Sequence, residues 1–241
     1  MVAPHKDLRV VITGAASGIG LASANALADA GARVVGLDLH PPEVANWPTI
    51  LTNVADEAAV AGSMEAAAAH LGGGFDVVVN CAGICLETPL MSFDVAAFDR
   101  MASVNIRGPI LVAREALKYF AGEGPIRGRI VNIASELAYL GRAGFSGYAG
   151  TKGAVLALTR SWARELAPHI QVNAIAPGPV DTPLLDFDNL SDELKRLETG
   201  NPFGRVGRPE EVAQAVLFLS SRATGFITGQ CLSIDGGAAM H

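Results

Sequence analysis

The chain has 241 residues and a mass of 24.9 kDa, so folding buries about 70% of the surface the unfolded form exposes and a full-size core needs no disulfide. Half of its residues are hydrophobic and 17% are charged, against a usual charged fraction of about 25%, which excludes a disordered chain and points to contacts between copies. A net charge of -6 with no block of Lys or Arg repels nucleic acid, and the lack of any run of about 18 apolar residues argues against a membrane span.

Residues 1–7 lack the apolar stretch and cleavage pattern of a signal peptide, so a cytoplasmic protein is expected. Short β-branched runs then alternate with longer Ala-rich stretches. Strands are predicted at 8–13, 33–37, 49–53, 76–80, 128–134, 171–175 and 231–234. Helices are predicted at 18–30, 57–71, 94–120, 146–166 and 209–219. Runs such as Val77-Val78-Val79 are apolar at successive positions, as a parallel sheet covered by helices on both faces requires. The fold class expected is α/β, a Rossmann-type doubly wound sheet of seven parallel strands in one domain spanning 1–241. Between Asp38 and Asn53 stand Pro41, Pro42 and Pro48, which argue against a full crossover helix there.

The first strand runs into Thr13-Gly14-Ala15-Ala16-Ser17-Gly18-Ile19-Gly20 and then a helix. Glycines at this turn let backbone approach a pyrophosphate, whose charge is met by the helix N-terminus. The second predicted strand is followed by Asp38, 18 residues beyond Gly20, where an acid accepts from both ribose hydroxyls. A 2'-phosphate would be repelled by Asp38, and neither Ala16, Ser17 nor Leu39 offers a cation, so NAD is favoured over NADP. No Gly-Lys-Ser/Thr follows the loop, which argues against a nucleotide triphosphatase.

With these features the chain resembles the short-chain dehydrogenase/reductase family along essentially its whole length. The family's three-residue gap between the first two glycines is present at Gly14 and Gly18. Its Asn-Asn-Ala-Gly signature corresponds to Asn80-Cys81-Ala82-Gly83, with Cys81 departing from the second Asn. Its Asp-Val after the third strand, near the adenine, corresponds to Asn53-Val54. Its active-site Asn, Ser, Tyr and Lys correspond to Asn105, Ser135, Tyr148 and Lys152, with Tyr148 thirteen residues after Ser135. Pro177-Gly178-Pro179-Val180-Asp181-Thr182 is similar to the family loop whose Val and Thr lean on the nicotinamide. The resemblance also implies that Lys152 binds the nicotinamide ribose and that Asn105 holds a water linking Lys152 to solvent.

Tyr148 and Lys152 are four apart in a predicted helix and so share a face. A phenol with a reference pKa near 10 needs help to act as a base, and a buried ammonium together with an oxidised nicotinamide favours its phenolate. A drop of about 2 to 3 units corresponds to roughly 3 to 4 kcal/mol. Tyr148 then takes the alcohol proton while hydride leaves carbon, with Ser135 orienting the substrate oxygen. Glu136, Tyr139, Arg142 and Phe145 lie in the segment that forms a pocket wall in the family and are candidate substrate contacts. Residues 184–204 resemble the family's mobile substrate lid. The histidines at 5, 40, 70, 169 and 241 and the cysteines Cys81, Cys85 and Cys231 show no metal-ligand spacing, so no metal is expected.

Three functions compete. The first is an NAD-dependent oxidoreductase acting on a secondary alcohol or the matching ketone. The second is an NADPH-dependent 3-oxoacyl-thioester reductase, and the third a nicotinamide-binding protein without catalysis. The first is favoured by Asp38 and by the intact Ser135, Tyr148 and Lys152. The resemblance further implies a homotetramer built on the two long helices.

Overall fold

The computed structural model describes residues 5–241, so part of the start read above as leaderless lies outside the described residues. The seven strands are β1 (Arg9–Thr13), β2 (Arg33–Asp38), β3 (Thr49–Leu51), β4 (Val77–Asn80), β5 (Gly128–Ile133), β6 (Ile170–Pro177) and β7 (Cys231–Ile234). All neighbours pair in parallel, in the order β3-β2-β1-β4-β5-β6-β7. The doubly wound sheet expected from the sequence is therefore present, and the order in which the chain adds strands reverses between β1 and β4. Crevices outside the strand C-termini at such a reversal are where ligands bind in this architecture.

The helices are α1 (Gly18–Asp29), α2 (Glu57–His70), α3 (Val95–Ala102), α4 (Gly108–Ala116), α5 (Leu137–Leu140), α6 (Ser146–Glu165), α7 (Asp192–Glu198) and α8 (Pro209–Ser220). Val10, Ile12, Val77, Val79 and Val131 bury one sheet face against Ala24 and Leu27 of α1 and Val212, Ala215, Val216 and Leu219 of α8. Val11, Val35 and Val78 bury the other against Val60 and Met64 of α2 and Leu111, Val112 and Ala116 of α4. Alternate residues of one strand thus serve opposite cores, which is why the strands are apolar without interruption. The connection from β2 to β3 has no helix, as its prolines suggested. Trp47 fills that place, 7% exposed, with its indole N–H donating to Asn25 Oδ1 at 3.0 Å.

The helix predicted over 94–120 is divided. Between α3 and α4 the chain makes a π-helical turn, Ser103–Arg107, closed by Gly108 N–H donating to the Ser103 carbonyl. The cause is readable in the sequence: an α-helix would direct the residue-109 N–H to the Asn105 carbonyl, and residue 109 is Pro, which has none. β3 is also shorter and β6 longer than predicted. The short α5 and α7 lie in segments read as loop.

Candidate active site

The C-terminal ends of the strands collect the residues singled out in the sequence. Gly14 follows β1 with φ +69°, and a Cβ there would stand 2.7 Å from the Ala82 Cα, so the glycine loop and the turn after β4 are in backbone contact. Thr13, not foreseen as a site residue, sets that contact: its Oγ1 accepts from the N–H groups of Cys81 and Ala82, each at 3.1 Å. A hydroxyl directly before the first glycine was the available signal. Gly20 is as constrained, since a Cβ would lie 1.8 Å from the Gly14 carbonyl oxygen.

Ser17 caps α1 without a side-chain hydrogen bond, and the first turn, including Gly18, Ile19 and Gly20, holds no acid. Its N–H groups are donors left for an anion. Asp38, at the end of β2, accepts from Ala16 N–H at 2.8 Å and His40 N–H at 3.3 Å, and makes no ion pair among the described residues. Leu39 beside it is 60% exposed. Asn53 spends its Oδ1 on Ala55 N–H at 3.0 Å, while Val54 is buried against Gly108. This donor set, uncapped N–H groups followed by a free carboxylate, fits a pyrophosphate and a ribose diol.

Asn80 donates to Asn132, which donates to Thr159, both at 2.9 Å, in a buried chain from β4 through β5 to α6. Asn105 occupies the π-helical turn. Its amide accepts from Ile84 N–H at 2.9 Å and donates to the Ile84 carbonyl at 2.8 Å and Thr151 Oγ1 at 3.1 Å. It therefore fixes the segment after Gly83. A Cβ on Gly83 would stand 3.4 Å from both Asn105 Oδ1 and Lys152 Nζ, so the two side chains flank one glycine.

Ser135 follows β5 and Tyr148 and Lys152 lie on α6. Lys152 is buried and donates to the Ile133 carbonyl at 2.9 Å, and its Nζ sits 5.8 Å from the centre of the Tyr148 ring. Desolvation pushes its ammonium down to about 8, against the opposing influence of Cys81 and Cys85. The phenol of Tyr148 departs from expectation. Burial raises it above its ordinary value, negative charge on Cys85 or Glu136 adds to the rise, and the Ser135 hydroxyl opposes it. In the protein alone desolvation thus outweighs the Ser135 hydroxyl, and a phenolate needs further positive charge beside it. Pro177 ends β6. A Cβ on Gly178 would meet the Asp235 Cα at 2.8 Å, Val180 is buried, and the Thr182 methyl packs over Gly18. The Pro-Gly loop therefore borders the glycine loop.

The four candidate substrate contacts separate. Glu136 is buried and accepts from Ser135 Oγ at 2.7 Å, and burial pushes its carboxyl up to about 7. Arg142 pairs with Glu198 of α7 at 2.6 Å and lies 5.0 Å from the Phe145 ring centre. Tyr139 instead packs with Ala134, Val155 and Ala176 and stacks on His241 at 3.7 Å. Glu198 was missed because it stands in an acidic, turn-rich stretch read as a loop, where nothing set it apart from its acidic neighbours. Among the described residues no helix is long and apolar enough to cross a membrane, and no group of three or more His, Cys, Asp or Glu could hold a metal ion.

A family model described as Enoyl-(Acyl carrier protein) reductase, of the short-chain dehydrogenase type, matches residues 14–239. The chain is 42% identical to the cis-4-hydroxycyclohexanecarboxylate dehydrogenase of Sinomonas cyclohexanicum over 94% of each chain. It superposes on the ligand-free aldohexose dehydrogenase of Thermoplasma acidophilum with a TM-score of 0.90 and 33% identity, covering 98% of this chain and 95% of the other. The 3-ketoacyl-(acyl-carrier-protein) reductase of Brucella melitensis, solved with NADH, gives 0.88 and 32%, covering 98% of this chain and all (100%) of the other.

Proposed function

The chain belongs to the short-chain dehydrogenase/reductase family, and on that premise we propose that it is an NAD-dependent oxidoreductase that interconverts a secondary alcohol and its ketone, with Tyr148 as general acid and base. The observation that carries this reading is the meeting of Ser135, Tyr148 and buried Lys152 beside the uncapped start of α1 and the unpaired Asp38.

Gly14, Ser17, Gly18, Ile19 and Gly20 would hold the pyrophosphate, Asp38 and Leu39 the adenosine ribose, and Asn53 and Val54 the adenine. Asn80, Ala82 and Gly83 shape the crevice floor, and Pro177, Gly178, Val180 and Thr182 the nicotinamide wall. The bound nicotinamide supplies the hydride acceptor or donor. Everything else falls to the chain. Ser135 hydrogen-bonds the substrate oxygen, holding the reacting O–H against Tyr148. Tyr148 Oη takes the alcohol proton in oxidation and returns it in reduction. Lys152, already pushed toward neutrality by burial, exchanges that proton onward and binds the ribose. Asn105 keeps the Ile84 backbone and Thr151 in register beneath Lys152.

Asp38 would carry the choice of NAD, because its carboxylate, with no cation paired to it among the described residues, would accept from a ribose diol and repel a 2'-phosphate. The 42% identical dehydrogenase motivates a cyclic secondary alcohol as first probe. The exposed Ile110 on α4 and Leu117 just past its end fit the homotetramer implied by the resemblance. The experiment is reduced-nicotinamide formation from cis-4-hydroxycyclohexanecarboxylate, cyclohexanol, sugar alcohols and hydroxy acids, each with NAD and NADP, beside oxidation of NADH and NADPH by a 3-oxoacyl thioester. Turnover with NAD is expected. Turnover confined to 3-oxoacyl thioesters with NADPH would replace this reading, and dinucleotide binding without any turnover would favour a binding protein.

A further inference from the structure

Ser135 has one proton to donate and two lone pairs with which to accept. Leu137 N–H donates to its Oγ at 3.2 Å, and its own proton goes to Glu136 Oε2 at 2.7 Å. The Glu136 backbone is anchored, donating to the Pro177 carbonyl at 2.9 Å and accepting from Tyr139 and Leu140. Its carboxyl is buried, and Ser135 is the one side chain it hydrogen-bonds among the described residues. The ionisable groups around it are Cys85 from the segment after β4, Tyr148 with Lys152 beyond it on α6, Arg142 between α5 and α6, and Glu198 on α7. Arg142 is engaged by Glu198 and Lys152 by the Ile133 carbonyl, so no cation within 4 Å neutralises Glu136 among the described residues.

We infer that Glu136 is a positioning residue whose protonation sets the direction of the Ser135 hydroxyl, and through it whether the site prefers an alcohol or a ketone. The inference rests on the role given to Ser135 above. With Glu136 ionised, the Ser135 proton stays on the carboxylate side and is withheld from the substrate oxygen, which costs a ketone its donor but leaves an alcohol its own O–H to aim at Tyr148. With Glu136 neutral, the carboxyl O–H donates to Oγ. The Ser135 proton then turns toward the substrate as a donor, suited to a carbonyl oxygen. The only proton gained or lost is that of Glu136, exchanged with solvent, and no bond to carbon changes. Because burial holds this carboxyl near 7, the reversal falls in the neutral range.

Infrared difference titration of the full protein tests the first half without turnover. One carboxyl band titrating near neutral pH is expected, absent in Glu136→Gln and displaced in midpoint in Ser135→Ala. Steady-state kinetics at saturating dinucleotide tests the second half, with cyclohexanol and cyclohexanone as the probe pair. From pH 6 to 8.5 the ratio of alcohol KM to ketone KM should fall by up to about tenfold, the worth of one hydrogen bond. In Glu136→Gln the ratio should be flat, and Glu136→Asp should restore part of the slope. A wild-type slope in Glu136→Gln, or no carboxyl titrating near neutrality in the wild-type protein, would overturn the inference. If Glu136→Gln does not fold, an unchanged midpoint in Ser135→Ala does the same. Failure to turn over any alcohol would sink the proposed function, while the infrared result would still decide the Glu136–Ser135 link.

Discussion

Arg142 and Glu198 meet at 2.6 Å with side chains 20% and 8% exposed, which ties the segment ahead of α6 to α7 in the stretch over the crevice. The two sides of the pair are unequal. Arg142 also rests on the Phe145 ring and reaches solvent, whereas Glu198 is buried and left with no other ion pair. Removing the guanidinium therefore strands a charge, and removing the carboxylate does not. Arg142→Met should cost about 2 kcal/mol, discounted from the fully buried case because Arg142 is partly exposed. Glu198→Gln should cost less than half of that. Limited proteolysis within 182–204 and substrate KM are the readouts. Equal effects of the two substitutions would contradict the asymmetry.

Lys152 pairs function with instability. Its ammonium is pushed from 10.5 to about 8 by burial, so at neutral pH the folded protein holds a charge it would rather lose. Lys152→Met keeps most of the side-chain volume and removes that penalty while leaving the Ile133 carbonyl without its donor. A net gain of about 1 kcal/mol in urea unfolding at pH 7 is expected, together with loss of turnover. Tyr148→Phe should lose turnover by about 10³-fold or more and keep dinucleotide binding. Turnover retained in either variant would remove that residue from the mechanism.

Much of this was legible in the sequence, for reasons that differ by element. Val77-Val78-Val79 announces a strand buried on both faces because both cores draw on it. Gly14 and Gly20 announce a loop because any Cβ would strike backbone. The division of the helix at 103–107 was written in Pro109, but its effect shows only when the missing N–H is traced to Asn105. The Ser135–Glu136 and Arg142–Glu198 contacts were hidden for another reason. Adjacent residues do not disclose which side chains turn toward each other, and Glu198 reaches Arg142 across 56 residues by tertiary packing alone.

Asp38→Asn tests the cofactor choice with little disturbance of shape, since an amide oxygen can still accept from Ala16 N–H. It removes the charge that opposes a 2'-phosphate and weakens the charge-assisted bonds to a ribose diol. NAD binding should fall about tenfold and NADP binding should rise, measured by fluorescence of the bound reduced forms. An unchanged preference would move the selection elsewhere.

Glu136 should also leave a mark on stability. Its carboxyl is raised from 4.5 to about 7 in the folded protein, so between those values the folded state holds a proton that the unfolded chain has released. The contribution is fully present below pH 4.5 and is lost as pH rises to 7, amounting to at most about 3 kcal/mol. Lys152 acts with the opposite sign but only between about 8 and 10.5, so the two windows do not overlap. Glu136→Gln has no proton to lose, and its stability advantage over the wild-type protein should be larger at pH 7.5 than at pH 5. Urea midpoints at the two values give the difference directly. A constant gap would mean that Glu136 is ionised throughout, and the carboxyl would then be satisfied by solvent or a cation rather than held in the apolar wall behind Ser135.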